Sequence, residues 1–155
     1  MNIRLAKKED AYSILELIRE LATFEKEPDA VIINEDYLVE NGFSENPSFT
    51  CYIAELENEI VGMALFYYRF STWKGKTIHL EDLIVKQNKR SLGVGKALYK
   101  KVLEFAQKQK VKRVEWVVLD WNENAITFYE NSGAIVLDDW RTVQMTEKAL
   151  NKYLK

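Results

Sequence analysis

The stretch Arg90-Ser91-Leu92-Gly93-Val94-Gly95-Lys96-Ala97-Leu98 constrains this chain more than any other. It follows an apolar run, His79-Leu80-Glu81-Asp82-Leu83-Ile84-Val85, and opens an amphipathic segment that continues to about Gln109. Val94, Leu98, Val102, Phe105 and Ala106 recur there at helical spacing. A strand therefore feeds a glycine-bearing turn, and the turn feeds a helix. The first backbone N–H groups of such a helix have no partner within it and carry the positive end of its dipole, so phosphate is a natural ligand there. Gly93 and Gly95 let the backbone come close to that ligand, because no Cβ stands in the way. Taken alone, the glycine pair is equally well a tight turn. It is not a Walker loop, since no Gly-Lys-Ser/Thr closes it. Nor is it a dinucleotide fingerprint, since the third glycine is missing and the turn lies in mid-chain.

The remaining pattern is α/β. Asn2–Ala6 reads as a short strand, and Ala11, Ile14, Leu15, Ile18, Leu21 and Ala22 form a helical stripe. A shorter helix follows Asn34, and residues 42–47 read as loop. Three extended runs come next, Phe49–Leu56, Ile60–Arg69 and Thr77–Lys86, the first two joined by a tight turn at Glu57-Asn58-Glu59. Val114–Leu119 is a nearly unbroken apolar run, expected as a central strand covered on both faces. Asn122 can cap a helix reaching about Asn131, with Gly133 as its left-handed stop. Strands around Ile135–Leu137 and Trp140–Met145, and a last helical turn at Glu147–Tyr153, are expected to finish the chain.

A chain of 155 residues makes one domain with a real core. No apolar run approaches the roughly 20 residues that span a bilayer, and the N-terminus lacks a signal-peptide core, so no membrane association and a cytoplasmic location are expected. Cys51 is the single cysteine and lies in an apolar run, which predicts a buried thiol and excludes an internal disulfide. Charge is unevenly placed: residues 1–60 hold fourteen acids and five bases, while residues 86–113 hold ten bases and one acid. With a pI near 5.6 the chain is unlike nucleic-acid-binding domains. The basic stretch suits a small polyanion, and the acidic half suits a cationic substrate. His79 is the only histidine and reads as an ordinary strand residue; with no clustered ligands around it, no metal is expected.

Arg90-x-x-Gly93-x-Gly95 resembles the pyrophosphate loop of the Gcn5-related N-acetyltransferases, whose pattern is Arg or Gln, two residues, Gly, one residue, Gly or Ala. Asn122 near a helix start, Phe128-Tyr129, and Gly133-Ala134 at its end resemble the family's second signature. Ile18–Glu25, Glu40–Phe43, Phe66–Tyr68, Trp73–Lys76, Leu80–Asp82 and Trp140-Arg141 resemble, more narrowly, its diamine (spermidine/spermine) acetyltransferase branch, thialysine acetyltransferase-like members included. The likeness covers nearly the whole chain. It implies one N-acetyltransferase domain over residues 1–155, with a mixed, mostly antiparallel sheet flanked by helices, acetyl-CoA as co-substrate, and a homodimer.

Direct attack of an amine on a thioester needs a neutral amine, a stabilised carbonyl oxygen and a proton for the departing thiolate, and no cysteine or serine nucleophile. Glu81 is the candidate to help remove the amine's proton. Its neighbour Asp82 points the other way on a regular strand and reads as structural, because only one of the two can face a cleft without a bulge. The resemblance makes Tyr129 the acid that protonates the thiolate. It also assigns the coenzyme to the backbones of Leu83, Ile84 and Val85 and to the turn Arg90, Ser91, Leu92, Gly93, Val94, Gly95 and Lys96. Asn124 and Ala125 join that set. Asn122 either contacts the pantetheine arm or only caps its helix, and the two are compatible. Phe24 and Trp140 could wall an amine site, since cations favour aromatic faces, and Glu25 could attract the cation. One departure stands out: polyamine-acetylating members carry an acid just before the tryptophan matching Trp73, where this chain has Arg69-Phe70-Ser71-Thr72. A short diamine or a lysine-like amino acid thereby competes with a long polyamine. Peptide amines, or regulation by bound coenzyme A without turnover, are the alternative functions.

Overall fold

The computed structural model describes all residues, Met1–Lys155. Backbone contacts divide them into two compact units, Met1–Val117 and Val118–Lys155. The first unit holds a five-stranded sheet in the order β1-β2-β3-β4-β5. Its strands are β1 (Asn2–Leu5), β2 (Thr50–Leu56), β3 (Glu59–Ser71), β4 (Gly75–Val85) and β5 (Val114–Glu115). Neighbouring strands are antiparallel except β4 and β5, which are parallel. The sheet is therefore mixed and mostly antiparallel, as the sequence implied.

Strand alternation sends two side-chain sets to opposite faces. On one face Cys51, Ile53, Met63, Leu65 and Ile84 meet Ile14, Leu15 and Leu17 of α1 (Ala11–Phe24) and Leu38 of α2 (Glu35–Gly42). On the other, Phe66 packs against Phe105 of α3 (Val94–Lys108), with ring centroids 5.0 Å apart, and stacks on Tyr52. Burying both faces of the middle strands supplies the hydrophobic stabilisation of this unit. The Cys51 thiol is buried in the first layer, where desolvation pushes its pKa up and keeps it an inert thiol. No helix is long and apolar enough to cross a membrane.

The β3–β4 ladder slips by one residue: Leu65 pairs with Asp82 and Phe66 with Leu80, leaving Glu81 as an extra, bulged residue. A bulge bends its strand and increases the local twist. Accordingly β5 pairs with β4 only at Ile78 and His79, just before the bulge. The expected central strand over residues 114–119 is thus corrected: only Val114–Glu115 is strand, it lies at the sheet edge, and Val117 is 71% exposed. An apolar run makes a covered strand only where a ladder partner stays alongside.

The second unit contains α4 (Glu123–Asn131) and α5 (Glu147–Tyr153) and no strand. Asn122 Oδ1 accepts the Ala125 N–H at 3.3 Å, which caps α4. Gly133, at φ +92°, closes it in the left-handed region as the glycine suggested. The strands expected at residues 135–137 and 140–145 do not form. Their alternation is real, but nothing within the unit pairs with them, and an unpaired strand is not stable.

Candidate active site

The Glu81 bulge places two adjacent carboxylates on one face. Glu81 Oε2 accepts a 2.8 Å hydrogen bond from Tyr67 Oη, and Asp82 lies opposite Leu65, so both acids share the face covered by α1 and α2. Together they line a cavity of about 550 Å³ with Tyr37, Leu38, Phe49, Leu65 and Tyr67. Aromatic rings beside carboxylates give this cavity the chemistry that suits an organic cation. Desolvation pushes the Asp82 carboxyl from 3.8 up to about 7, and the charges of Glu81 and Glu25 push the same way. Tyr67 is raised to about 12, by burial first and then by its bond to Glu81, so it stays a neutral donor.

Regular alternation turns Asp82 away from the face of Glu81, and the bulge overturns that expectation by bringing both to one face. No residue of the Leu-Glu-Asp tripeptide announces a bulge, so the only available cue was the adjacency of the two acids. Glu25 acts on Asp82 through its charge, and burial raises its own pKa, yet neither Glu25 nor Phe24 lines the cavity. Phe24 instead carries the Arg90 guanidinium 5.0 Å above its ring. A larger groove of about 730 Å³ runs beside α1. Its charged groups are occupied with one another, Lys86 with Glu59, Arg19 with Glu16, and the Gln87 N–H with Glu20.

The Arg90–Lys96 turn follows β4 after one short 3-10 turn, Gln87–Lys89. Arg90 Nε donates to Val85 O at 3.2 Å, tying the turn to the strand end. Ser91 (φ +64°) and Gly93 (φ +78°) are left-handed, so the chain reverses into α3 within a few residues. No side chain caps α3, and its first turn holds no acid, which leaves its amide dipoles suited to an anion. Leu92 and Lys96 are exposed, Val94 is buried, and a Cβ on Gly95 would meet only Val85 Cγ2 at 3.6 Å, an ordinary contact. Alanine would fit at Gly95, whereas Gly93 answers to its backbone angle. Because β5 stops at Glu115, no strand pairs with Leu83, Ile84 and Val85 on that side of β4.

In the second unit Tyr129 is buried on α4, with its ring centroid 5.3 Å from that of Phe128. Asn122 is engaged in the cap, Asn124 is exposed and Ala125 half-buried. Trp140 is 69% exposed and lies in the segment where no strand forms. At the β3–β4 hairpin, Ser71 Oγ accepts the N–H groups of Trp73 and Lys74, both at 3.2 Å, so its hydroxyl shapes the turn.

The first unit thus holds an acid pair on an aromatic-lined cavity and a left-handed turn entering an uncapped helix. The acetyltransferase (GNAT) family profile matches residues 11–134. The thialysine N-epsilon-acetyltransferase of Bos taurus is 42% identical over 140 residues, 85% of this chain and 82% of that protein. The spermidine/spermine N(1)-acetyltransferase-like protein 1 of Homo sapiens is 32% identical across 96% of this chain and 23% of its own length. Among solved structures, an integron cassette protein from the mobile metagenome of V. cholerae has the same fold, with a TM-score of 0.81 at 23% identity, over 99% of this chain and 97% of that one. The chain belongs to the acetyltransferase (GNAT) family, and it is an amine N-acetyltransferase.

The raised Asp82 pKa has a thermodynamic signature. Between the unfolded value and the folded one the native state binds the extra proton, so stability falls as pH rises from about 4 to about 7. Asp82→Asn is expected to abolish that fall and to be more stable than the wild type at pH 8 by on the order of 3 kcal/mol, with little difference at pH 4. Urea melts across this range decide it; parallel pH profiles for the two proteins would refute the raised pKa.

Proposed function

We propose that this chain transfers the acetyl group of acetyl-CoA to the primary amine of a small cation, a lysine-like amino acid or short diamine ahead of a long polyamine. One observation carries the reading: the bulge brings Glu81 and Asp82 onto one aromatic-lined cavity. Carboxylates there attract the ammonium group and, with Asp82 titrating near 7, accept the proton the amine must lose before it attacks. The new C–N bond forms as the C–S bond breaks, and Tyr129 gives its phenolic proton to the leaving thiolate. The pantetheine arm pairs with the backbone of Leu83–Val85 as an added strand would. The pyrophosphate rests on the Arg90–Lys96 turn, and Asn122, Asn124 and Ala125 contact the arm.

The preference for a short acceptor is supported by Ser71, committed to its turn where an acid would favour a polycation. It is also supported by the relatives named for thialysine, a lysine analogue. The family profile spans both compact units, which supports a single catalytic domain over residues 1–155. A homodimer is part of the same reading, resting on the branch likeness and the aromatic-rich Trp140–Tyr153 segment. Light scattering on the assay preparation should give twice 18.2 kDa, and a single-chain mass would reject it. Dependence on acetyl-CoA and the single buried thiol support a cytoplasmic setting.

Thiol release from acetyl-CoA across amines, amino acids and peptides is the test. A short diamine or lysine analogue is expected to rival or beat spermidine, with kcat/KM falling as ionic strength rises. Preference for a neutral acceptor or a peptide, or no turnover despite coenzyme binding, would overturn the reading. Tyr129→Phe is expected to lower kcat by on the order of a hundredfold while coenzyme affinity barely changes. Wild-type kcat in that variant would assign the ring to packing alone.

A further inference from the structure

We propose that His79 is a positioning residue for Glu81: its Nε2–H holds the Glu81 carboxylate, and Arg69 fixes the imidazole tautomer that allows it. The inference rests on the reading of Glu81 as an amine-side carboxylate and concerns what orients that group.

His79 sits opposite Tyr67 of β3 and Glu115 of β5 in the sheet register. Its ring lies 5.3 Å from that of Tyr67, centroid to centroid. Arg69 Nη1 is 3.3 Å from His79 Nδ1 and 2.8 Å from Glu115 Oε1, while Glu115 Oε2 is 2.8 Å from Arg113 Nε. A guanidinium has donors and no acceptor, so His79 Nδ1 must accept. The neutral imidazole then carries its proton on Nε2, and Nε2 lies 3.6 Å from Glu81 Oε2. That distance is just beyond a hydrogen bond, as is common in ligand-free enzymes whose catalytic contacts tighten when substrate binds.

The same oxygen accepts from Tyr67 Oη at 2.8 Å. Two donors thus converge on Oε2 and leave Oε1, which has no protein partner, for an ammonium group. The charged and titratable groups facing His79 are Tyr67 and Arg69 from β3, Glu81 from its own strand and Glu115 from β5. Burial, with Arg69 acting the same way, lowers the His79 pKa against the opposing pull of Glu81 and Glu115, which keeps the ring neutral. Protonating Nδ1 would set a donor against the Arg69 donor. A strand residue chosen only for packing would require neither the arginine nor this tautomer.

His79 is the only histidine, so long-range 15N–1H NMR on tag-free protein reads its tautomer directly. The Nε2–H form is expected, giving way to a mixture in Arg69→Met; a dominant Nδ1–H form in the wild type overturns the proposal. His79→Phe keeps a ring against Tyr67 and removes the donor. Its kcat/KM for the amine is expected to fall roughly tenfold or more. His79→Gln, whose amide N–H reaches the place of Nε2, is expected to recover most of the loss. The reverse order, Gln worse than Phe, would mark a packing role and overturn the assignment. Glu81→Gln assayed beside them separates the two layers. Full activity in Glu81→Gln would remove the role of Glu81 and that of His79 with it. An impaired Glu81→Gln beside an unaltered His79→Phe would remove the role of His79 alone.

Discussion

The extra residue in β4 is the constraint on which the rest of the site depends. Without it, Glu81 and Asp82 would lie on opposite faces of the sheet, one of them against α3. With it, both line the cavity beneath α1 and α2, Asp82 largely desolvated and Glu81 exposed beside it. Desolvation first, and then the charges of Glu81 and Glu25, makes the Asp82 carboxyl hold its proton up to about pH 7. In the proposed reading this acid pair supplies a proton acceptor near neutral pH. Function here is drawn from an arrangement that costs stability, as is common where chemistry is done.

The same strand leads into the turn proposed for the coenzyme. β5 pairs with β4 only at Ile78 and His79, so the backbone edge at Leu83–Val85, just before the Arg90–Lys96 turn, has no strand partner on that side. In the proposed reading, amine chemistry and coenzyme recognition share one irregular strand. The charge distribution follows suit, with acids concentrated in the first 60 residues and bases in residues 86–113. Long-range attraction then draws a cation and a polyanion to different parts of one unit.

Local signals were legible in the sequence. The glycine turn, the stripe of α3, the Asn122 cap and the Gly133 stop each depend on a few neighbouring residues, and each stands where the sequence placed it. Signals that depend on distant partners were not. The bulge depends on how β3 and β4 register, which no local pattern encodes. The apolar run after Val114 looked like a covered strand because periodicity reports apolarity and says nothing of a ladder partner. His79 looked ordinary because Arg69 and Glu115 reach it across two strands, and such neighbours appear only once the sheet is assembled.

The most direct measurement is a carbon-13 NMR titration of the Asp82 side-chain carboxyl, alone and with a short diamine. This account predicts a midpoint near 7 in the free protein, moving lower when the cation binds beside it. A midpoint in the ordinary aspartate range, unmoved by the amine, would contradict the claim that the bulge builds the acetyl-acceptor site.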